Sequence, residues 1–585
     1  MTCRMKNRYL LPTVRRVLAA MRAFGWLLLL LVAPVSHAQV PAWQLAIGTT
    51  HAGGPNTSGV VATTTDASGN VYLTGYFGGT VSFGNITLTS VSLGPYDMFV
   101  AKWNAETERF AWVQQAGGAG YDTPAAIAVV GSSVYVGGIF SSSPVTFGSI
   151  TVTGGSAFVA KLTDAGTTAS FTWVQQVGGA GTNGISALAA SSTSVYATGY
   201  FSSATATFGS TVLANADASG NTSDGFVTRL IDAGSTGSFA WAQRAGGVGI
   251  DSPNALALNG TAVYVAGTFA SPTISFGGTT LTNAGTASSA DIFVAKLTDA
   301  GTSASFTWAQ RAGSLGPDGA NALVTNGASL YLAGSFVGAT AGFGSTTLTN
   351  SGNGAEVFVA KLTDAGSTSS FGWAQRAGGA SDDQAFALAV SGTDVYIAGS
   401  YSSSTAIFGS ATLANSNPGR EDLFVAKLLD MGLVSNFDWV QRAGGAGDDR
   451  ARALAIIGTT VYVAGVVSPL VNFDNQVIAN SGGGQTAFLA SLPTIAMLAA
   501  TSPLPLANLG VVPNPAHSSV VVQLPAAATE VVVLTLLDEV GRVVRATTAA
   551  PALRHSLDLQ GLAPGVYLLR VQVGEAHTVR RLAIE

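Results

Sequence analysis

The sequence predicts an all-β chain, and three observations lead to it. A phrase built on Trp-x-Gln recurs at near-even spacing, apolar residues alternate in short runs bounded by Gly, Asp, Asn and Ser, and 3.6-residue periodicity appears nowhere after the N-terminal segment. The alternation separates the chain from a disordered one of similar Gly, Ser and Thr content; 47% of residues are apolar and only 10% charged.

Residues 1–38 read as a secretory signal. Arg4, Lys6, Arg8, Arg15, Arg16 and Arg22 are unaccompanied by any acid, and the apolar run from Trp26 to Val35 leads to Ser36-His37-Ala38, with cleavage expected before Gln39. That run is about half the ~20 residues a spanning helix needs, and no later stretch is long and apolar enough, so no transmembrane helix is expected in the mature chain. Removal of six basic residues takes the formal net charge from −5 to −11. An acidic chain without a basic patch excludes nucleic acid as the expected partner. The sole cysteine, Cys3, leaves with the signal, so neither a disulfide nor a thiolate ligand is available to the mature protein.

From Trp43 the repeats begin. Trp43, Trp112, Trp173, Trp241, Trp308, Trp373 and Trp439 are 61 to 69 residues apart, and each interval carries four phrases in one order. After Trp241 these are NALAL (254–258), AVYVAGTF (262–269), DIFVAKL (291–297) and SFTWAQ (305–310), each reading as a strand, with the insert ISFGGTTLTN reading as a hairpin. Four strands cannot cover both faces of their own sheet, whereas sheets stacked around an axis cover one another. The prediction for 39–497 is therefore a seven-bladed β-propeller. WQLAIG at Trp43 is a lone fourth strand and FLASL at Phe488 a third strand without a successor, so the N-terminal strand is expected to complete the last blade. The Trp phrase is either a repeated ligand motif or the outer strand of a blade; the second is favoured, with Phe371, Trp373 and Gln375 on one face. The Lys or Arg of the third strand (Lys102, Lys161, Arg229, Lys296, Lys361, Lys427) is expected to be solvated or paired with the acid of the TDAG turn that follows it. The run GG-x-x-DD, ALAV, VYIAGSY, FGS-x-TL, LFVAKL and FDWVQRAGG between Gly378 and Gly445 resembles the bacterial β-propeller repeat family abbreviated SBBP, over residues 43–492. That resemblance implies a secreted propeller and no particular activity.

A connector, 498–507, leads to a second text. Residues 508–585 alternate between Pro-Asn-Pro, Asp-Glu-Val-Gly and Ala-Pro-Gly turns and predict a small β-sandwich of Ig-like type. Pro513, Asn514 and Pro515, then Gly541 and Arg542, then Gly565, Val566, Tyr567 and Leu568 make this segment similar to the type A C-terminal sorting domain of the type IX secretion system. The resemblance implies interaction with the type IX machinery and delivery to the outer surface of a gram-negative bacterium, or release.

Chemistry-bearing residues are sparse. His51 is the one histidine of the repeat region and is expected in a loop, so neither a His-based triad nor a His or Cys metal site can be assembled there. The candidates are carboxylates after the Trp strand: Asp122, Asp251, Asp318, Asp382, Asp383, Asp448 and Asp449, expected as a broken acidic ring on one face. The favoured role is accepting backbone hydrogen bonds in tight turns; calcium held by these oxygens and a two-carboxylate hydrolase are the alternatives. The expectation is a noncatalytic binding or adhesion scaffold without a cofactor, calcium aside, for a glycan or surface protein. A secreted carbohydrate-active hydrolase or lyase using those Asp residues is the rival, and a structural surface-layer component the third reading.

Overall fold

Seven times the described residues run through four antiparallel strands that neighbour one another in chain order. The structure is a computed structural model describing residues 40–52, 56–92, 94–286, 289–479, 484–494, 509–524, 531–538, 542–573 and 576–585. The signal segment, the 498–507 connector and Gly541 lie outside these residues. Two compact units divide the chain, Met1–Ile495 and Ala496–Glu585. No helix occurs among the described residues, so none is long and apolar enough to cross a membrane.

In the fourth repeat the strands are Asp251–Asn259, Ala262–Phe269, Asp291–Asp299 and Ala304–Ala312. The insert is the expected hairpin, Thr273–Phe276 paired with Thr279–Thr282. Its Phe276 packs against Phe293 and Phe306 of the sheet at 5.0 and 5.2 Å between ring centroids. Such offset and edge-on contacts suit aromatic quadrupoles and anchor the hairpin. The last sheet takes Arg450–Ile457, Thr460–Val467 and Thr486–Pro493 from its own repeat, and its fourth strand, Leu45–Gly48, from the start of the unit. Hairpins dock on the preceding Trp strand, as at Gly246 with Ser275 and Gly378 with Ile407. The first hairpin docks instead on Thr50–His51, so the N-terminal segment stands in for a Trp strand in this respect as well. First strands of successive sheets touch, and that of the seventh touches that of the first.

Two bulges in each of the first six sheets, and one in the seventh, depart from simple alternation. In the fourth strand the register shifts just before the Trp: Lys361 faces Trp373 while Leu362 faces Phe371, leaving Gly372 as the extra residue. Phe371 therefore packs with Phe343 and Phe358 on one side of the sheet, and Trp373 with Tyr331 and Val395 on the other. This corrects the expectation that both rings share a face, because a bulge inverts the alternation beyond it. The Trp rings are buried between sheets, 2–4% exposed from Trp112 to Trp439, and offer no surface stripe. In the first strand a second shift, between Pro253 and Ala255 in the fourth repeat, brings backbone against the second strand. A Cβ at Gly267 would lie 2.2 Å from the Ser252 carbonyl oxygen, and at Gly399 1.9 Å from that of Gln384. Glycine follows the Val-Tyr pair because of this close approach.

The C-terminal unit is a two-sheet sandwich. Gly510–Val512, Ser519–Gln523 and Arg554–Asp558 form one sheet; Val543–Ala549, Val532–Leu537, Gly565–Val573 and Ala576–Ile584 form the other. Val520, Val522 and Leu557 meet Leu534, Leu536, Leu569 and Leu582 in its core. Asn514 ties the entry to the last strand, accepting from Ala583 N at 2.9 Å and donating to Arg581 O at 2.9 Å.

Neighbouring sheets of the first unit are joined by one repeated carboxylate. Asp364 ends the third strand of the fifth sheet and accepts from Trp308 Nε1 (3.0 Å), Tyr264 Oη (2.6 Å) and Lys296 Nζ (2.6 Å), all of the fourth sheet. Asp164, Asp232, Asp299 and Asp430 do the same for their predecessors, with Arg229 in place of Lys at Asp299. Lys102, Lys161, Lys296 and Lys361 are thus largely buried and paired with the Asp that ends the next repeat's third strand, not solvated or bonded to their own turn, whereas Lys427 pairs with Asp394 and Asp438 of its own sheet. Burial pushes the Asp364 carboxyl up, but the bonds from Lys296, Tyr264 and Trp308 outweigh it and hold it below its ordinary value. Thr494 occupies the equivalent place in the seventh sheet, and Trp439 Nε1 is left buried without a partner. Asp364→Ala would strand the Lys296 charge and should cost roughly 3–5 kcal/mol in urea unfolding. Thr494→Asp supplies the missing acceptor and should raise the urea midpoint, by about 1–2 kcal/mol; an unchanged or lowered midpoint would contradict this account of the clamp.

Candidate functional site

Asp122, Asp251, Asp318, Asp383 and Asp449 stand at the start of first strands in five sheets, and all five are buried. Each carboxylate is turned inward to its own loop. Asp383 accepts from Gly379 N (2.6 Å), Ser403 Oγ (2.8 Å), Ser402 N (3.1 Å) and Ser403 N (3.3 Å). Asp122 and Asp251 bind the loop amide and the serine of their own sheets in the same way, through Ser142 and Ser271. Asp318 uses Ser314 and Val337 N, and Asp449 uses Ser468. Asn183 and Ser58 hold the position in the third and first sheets. The expected acidic ring is therefore not formed by these five: a carboxylate at a bulged, tightly turned strand start is closer to the loop amides than to solvent. Only Asp382 and Asp448 of the candidates face outward. Their Oδ1 atoms accept from Ala355 N (2.9 Å) and Glu421 N (3.2 Å), fastening one loop to another.

His51 lies in the short strand Thr50–His51 and not in a loop. Its Nε2 is 3.1 Å from Ser58 Oγ, which also meets Thr49 Oγ1 at 2.7 Å. Burial lowers its pKa, outweighing a backbone bond at Asn56. Among the described residues no group of three or more His, Cys, Asp or Glu side chains converges as metal ligands would.

A further set of acids stands where third strands begin. Asp224, Asp291, Glu356 and Asp422 pair with Arg244, Arg311, Arg376 and Arg442 at 2.7, 2.7, 3.1 and 2.9 Å. This pairing accounts for the Arg of the WAQRAGG phrase. The signal was an acid one strand earlier in the same repeats, 20 residues before each Arg.

One cavity of about 220 Å³ is lined by a segment from the first strand of every sheet. The residue at each first-strand bulge lies there: Val61, Ala125, Ser186, Asn254, Asn321, Phe386 and Arg452. Asn254 donates to Ala320 O (3.2 Å) and Asn321 to Ala385 O (2.9 Å), each reaching the next sheet. Arg452 lies over the Phe386 ring, 4.6 Å from its centroid. These residues were legible in one respect: the position runs from Val to Arg, while the residue after it is Ala in all seven repeats.

The buried carboxylates give a pH dependence with a definite sign. Burial, opposed by hydrogen bonds, raises Asp251, Asp318 and Asp383 to about 6 and Asp449 to about 7. A raised folded-state pKa gives stability that is present in full below the ordinary carboxylate range and lost as pH rises through about 6 to 7. The clamp carboxylates, held low, contribute in the opposite sense and lose their contribution in acid. The urea midpoint should peak at roughly pH 4–6. Asp449→Asn, matching native Asn183, should raise the midpoint at pH 8 on the order of 1–3 kcal/mol and flatten the fall above pH 6; no gain at pH 8 would contradict the assignment.

No curated protein matches the chain. A crystal structure of a protein of unknown function from Dyadobacter fermentans DSM 18053 is 10% identical over 78% of this chain and 100% of that one, with a TM-score of 0.33. A glycoside hydrolase family 32 structure from Bifidobacterium adolescentis is 8% identical over 94% of each chain, with a TM-score of 0.25. Neither likeness carries weight at these scores. Residues 510–585 match the family model described as the secretion system C-terminal sorting domain. That tail indicates export by the type IX secretion system, contact with its machinery and a secreted or outer-surface location.

Proposed function

We propose that the first unit is a closed seven-bladed β-propeller acting as a noncatalytic scaffold for binding or adhesion at the cell surface. Its ligand face is the end bearing the hairpin inserts and the loops that follow the Trp strands. Closure is supported by the pairing of Leu45–Gly48 with Thr486–Pro493 and by the cavity to which all seven sheets contribute. The observation that carries the noncatalytic reading is the inward turn of the loop carboxylates. A general acid needs a raised pKa and access to substrate; Asp251, Asp318, Asp383 and Asp449 have the first, but at 0–4% exposure not the second. Calcium has little to gain at Asp122, Asp251, Asp318 and Asp383, whose two oxygens already accept from amides and hydroxyls.

Three outcomes follow for the full chain. Polysaccharides incubated with it should yield no new reducing ends, and Asp382→Asn with Asp448→Asn should leave glycan binding within about twofold; turnover abolished by either substitution establishes the enzyme reading. Chelation should leave the melting midpoint unchanged, and a fall of several degrees would restore calcium. A chain ending at residue 509 should accumulate in the periplasm, whereas surface delivery without the tail would remove the export route.

A further inference from the structure

We infer that the cavity mouth at the junction of the seventh and first sheets is a binding site for an acidic glycan, with Arg452 taking the sugar's anionic group. This deepens the binding-scaffold reading and rests on it.

Arg452 is the one charged residue lining the cavity. Among the described residues it has no hydrogen-bond or ion-pair partner, although it is half-buried and its guanidinium carbon lies 4.6 Å from the Phe386 ring centroid. The third-strand cations from Lys102 to Lys427, and the fourth-strand Arg244, Arg311, Arg376 and Arg442, are by contrast each paired with an acid. Burial and the neighbouring Arg450 disfavour the charge of Arg452, outweighing the favourable reach of Tyr76 and Glu421. A half-buried guanidinium set over an aromatic ring in the lining of a cavity suits bidentate contact with a carboxylate or sulfate. Arg450 does not compete for that ligand, since Glu421 engages it through Nε and again through Nη2 at 2.9 Å. The ion pair instead fixes the strand that presents Arg452.

An aromatic shelf adjoins this cation. Tyr76 of the first sheet lies over Gly59, where any Cβ would come within 2.8 Å of the ring. Gly59 is two residues before the cavity residue Val61, as Arg450 is two before Arg452. Tyr76 is within electrostatic reach of both arginines. Its ring is 5.1 Å from Tyr96, and Tyr96 is 5.3 Å from Tyr121, which is 56% exposed. Three tyrosines in contact, one pair tilted and the other edge-on, run inward from exposed Tyr121 to Tyr76 and offer aromatic surface edged with hydroxyls, which suits pyranose rings. Among the described residues no other sheet combines such a run of rings with an unmatched charge. Water between the rings of a neutral ligand and Arg452 would leave the guanidinium as it is, so the anion is the distinguishing requirement.

The test is titration calorimetry of the full chain with hexasaccharides of three kinds: a uronate, a sulfated and a neutral series. One or both acidic series should bind at least tenfold tighter than the neutral one, the stronger identifying the anion. Arg452→Gln should reduce acidic binding at least tenfold and leave neutral binding unchanged. Tyr121→Ala, at an exposed position that does not endanger folding, should weaken acidic binding about three- to tenfold. Equal binding of acidic and neutral sugars, no binding of any series, or an unaltered affinity in Arg452→Gln with its melting midpoint intact would overturn the inference. Reducing ends measured in the same samples report separately on the noncatalytic reading, which stands or falls independently of Arg452.

Discussion

The first unit depends on a buried carboxylate shared across sheets. Each sheet alone presents two apolar faces, and burial is indifferent to how those faces are offset. The Asp at the end of a third strand removes that freedom, because it must meet an indole, a phenol and an ammonium group delivered by three strands of the preceding sheet at once. A one-residue slip would leave a charge without its partner in a dry interface, at a cost no gain in apolar contact offsets. Stacking geometry is thereby fixed five times over, four times by Asp, Trp, Tyr and Lys and once with Arg in place of Lys, and in these five interfaces the bulge before the Trp lets the indole reach the neighbour's carboxylate.

The clamp lapses at two adjoining interfaces. Thr494 replaces the acid in the seventh sheet and Ala105 in the first, while Ser491 replaces the cation. Lys427 turns to Asp394 and Asp438 of its own sheet, at 3.0 and 3.4 Å. Other contacts take over there: the Arg450–Glu421 ion pair between the sixth and seventh sheets, and the strand contributed by Leu45–Gly48. The part of the proposed ring that departs most from the repeat is also where Arg452 and Phe386 are found, with Tyr76 on the adjoining first sheet. A repeat protein can diversify one junction at small risk when the remaining junctions share a strong common contact.

Much of this was open to a reader of the sequence. Strands are local: the alternation in AVYVAGTF and its glycine-rich flanks define it without reference to anything distant, and the lone WQLAIG already implied a partner at the far end of the repeats. The sorting tail was legible from its three ordered motifs. What was not legible depends on register or on the neighbouring repeat. Gly372 is an extra residue only when counted against Lys361 and Leu362, so the separation of Phe371 from Trp373 could not be read from alternation. The acid beside Lys296 in sequence is Asp299, but the acid beside it in space is Asp364. Asp383 and Asp382 look alike in the text, yet one turns into a knot of serine and amides and the other outward, a choice made by loop closure. Arg452 was passed over because single residues that vary among repeats look like noise until a cavity gathers them.

The central claim is that the two ends of the repeat region share one sheet, and a cross-link tests it most directly. Ala46 and Ala490 are direct partners in that sheet, and Ala46 N turns outward to Gln476 at 2.7 Å, so the pair is of the closely spaced, non-hydrogen-bonded kind. In a chain carrying Cys3→Ser, Ala46→Cys and Ala490→Cys, mild oxidation should form an intramolecular disulfide in nearly all molecules, seen as loss of both thiols and a peptide linking residues 46 and 490. Persistent free thiols, or disulfides only between molecules, would show that the ends do not meet and that the stack of sheets is open.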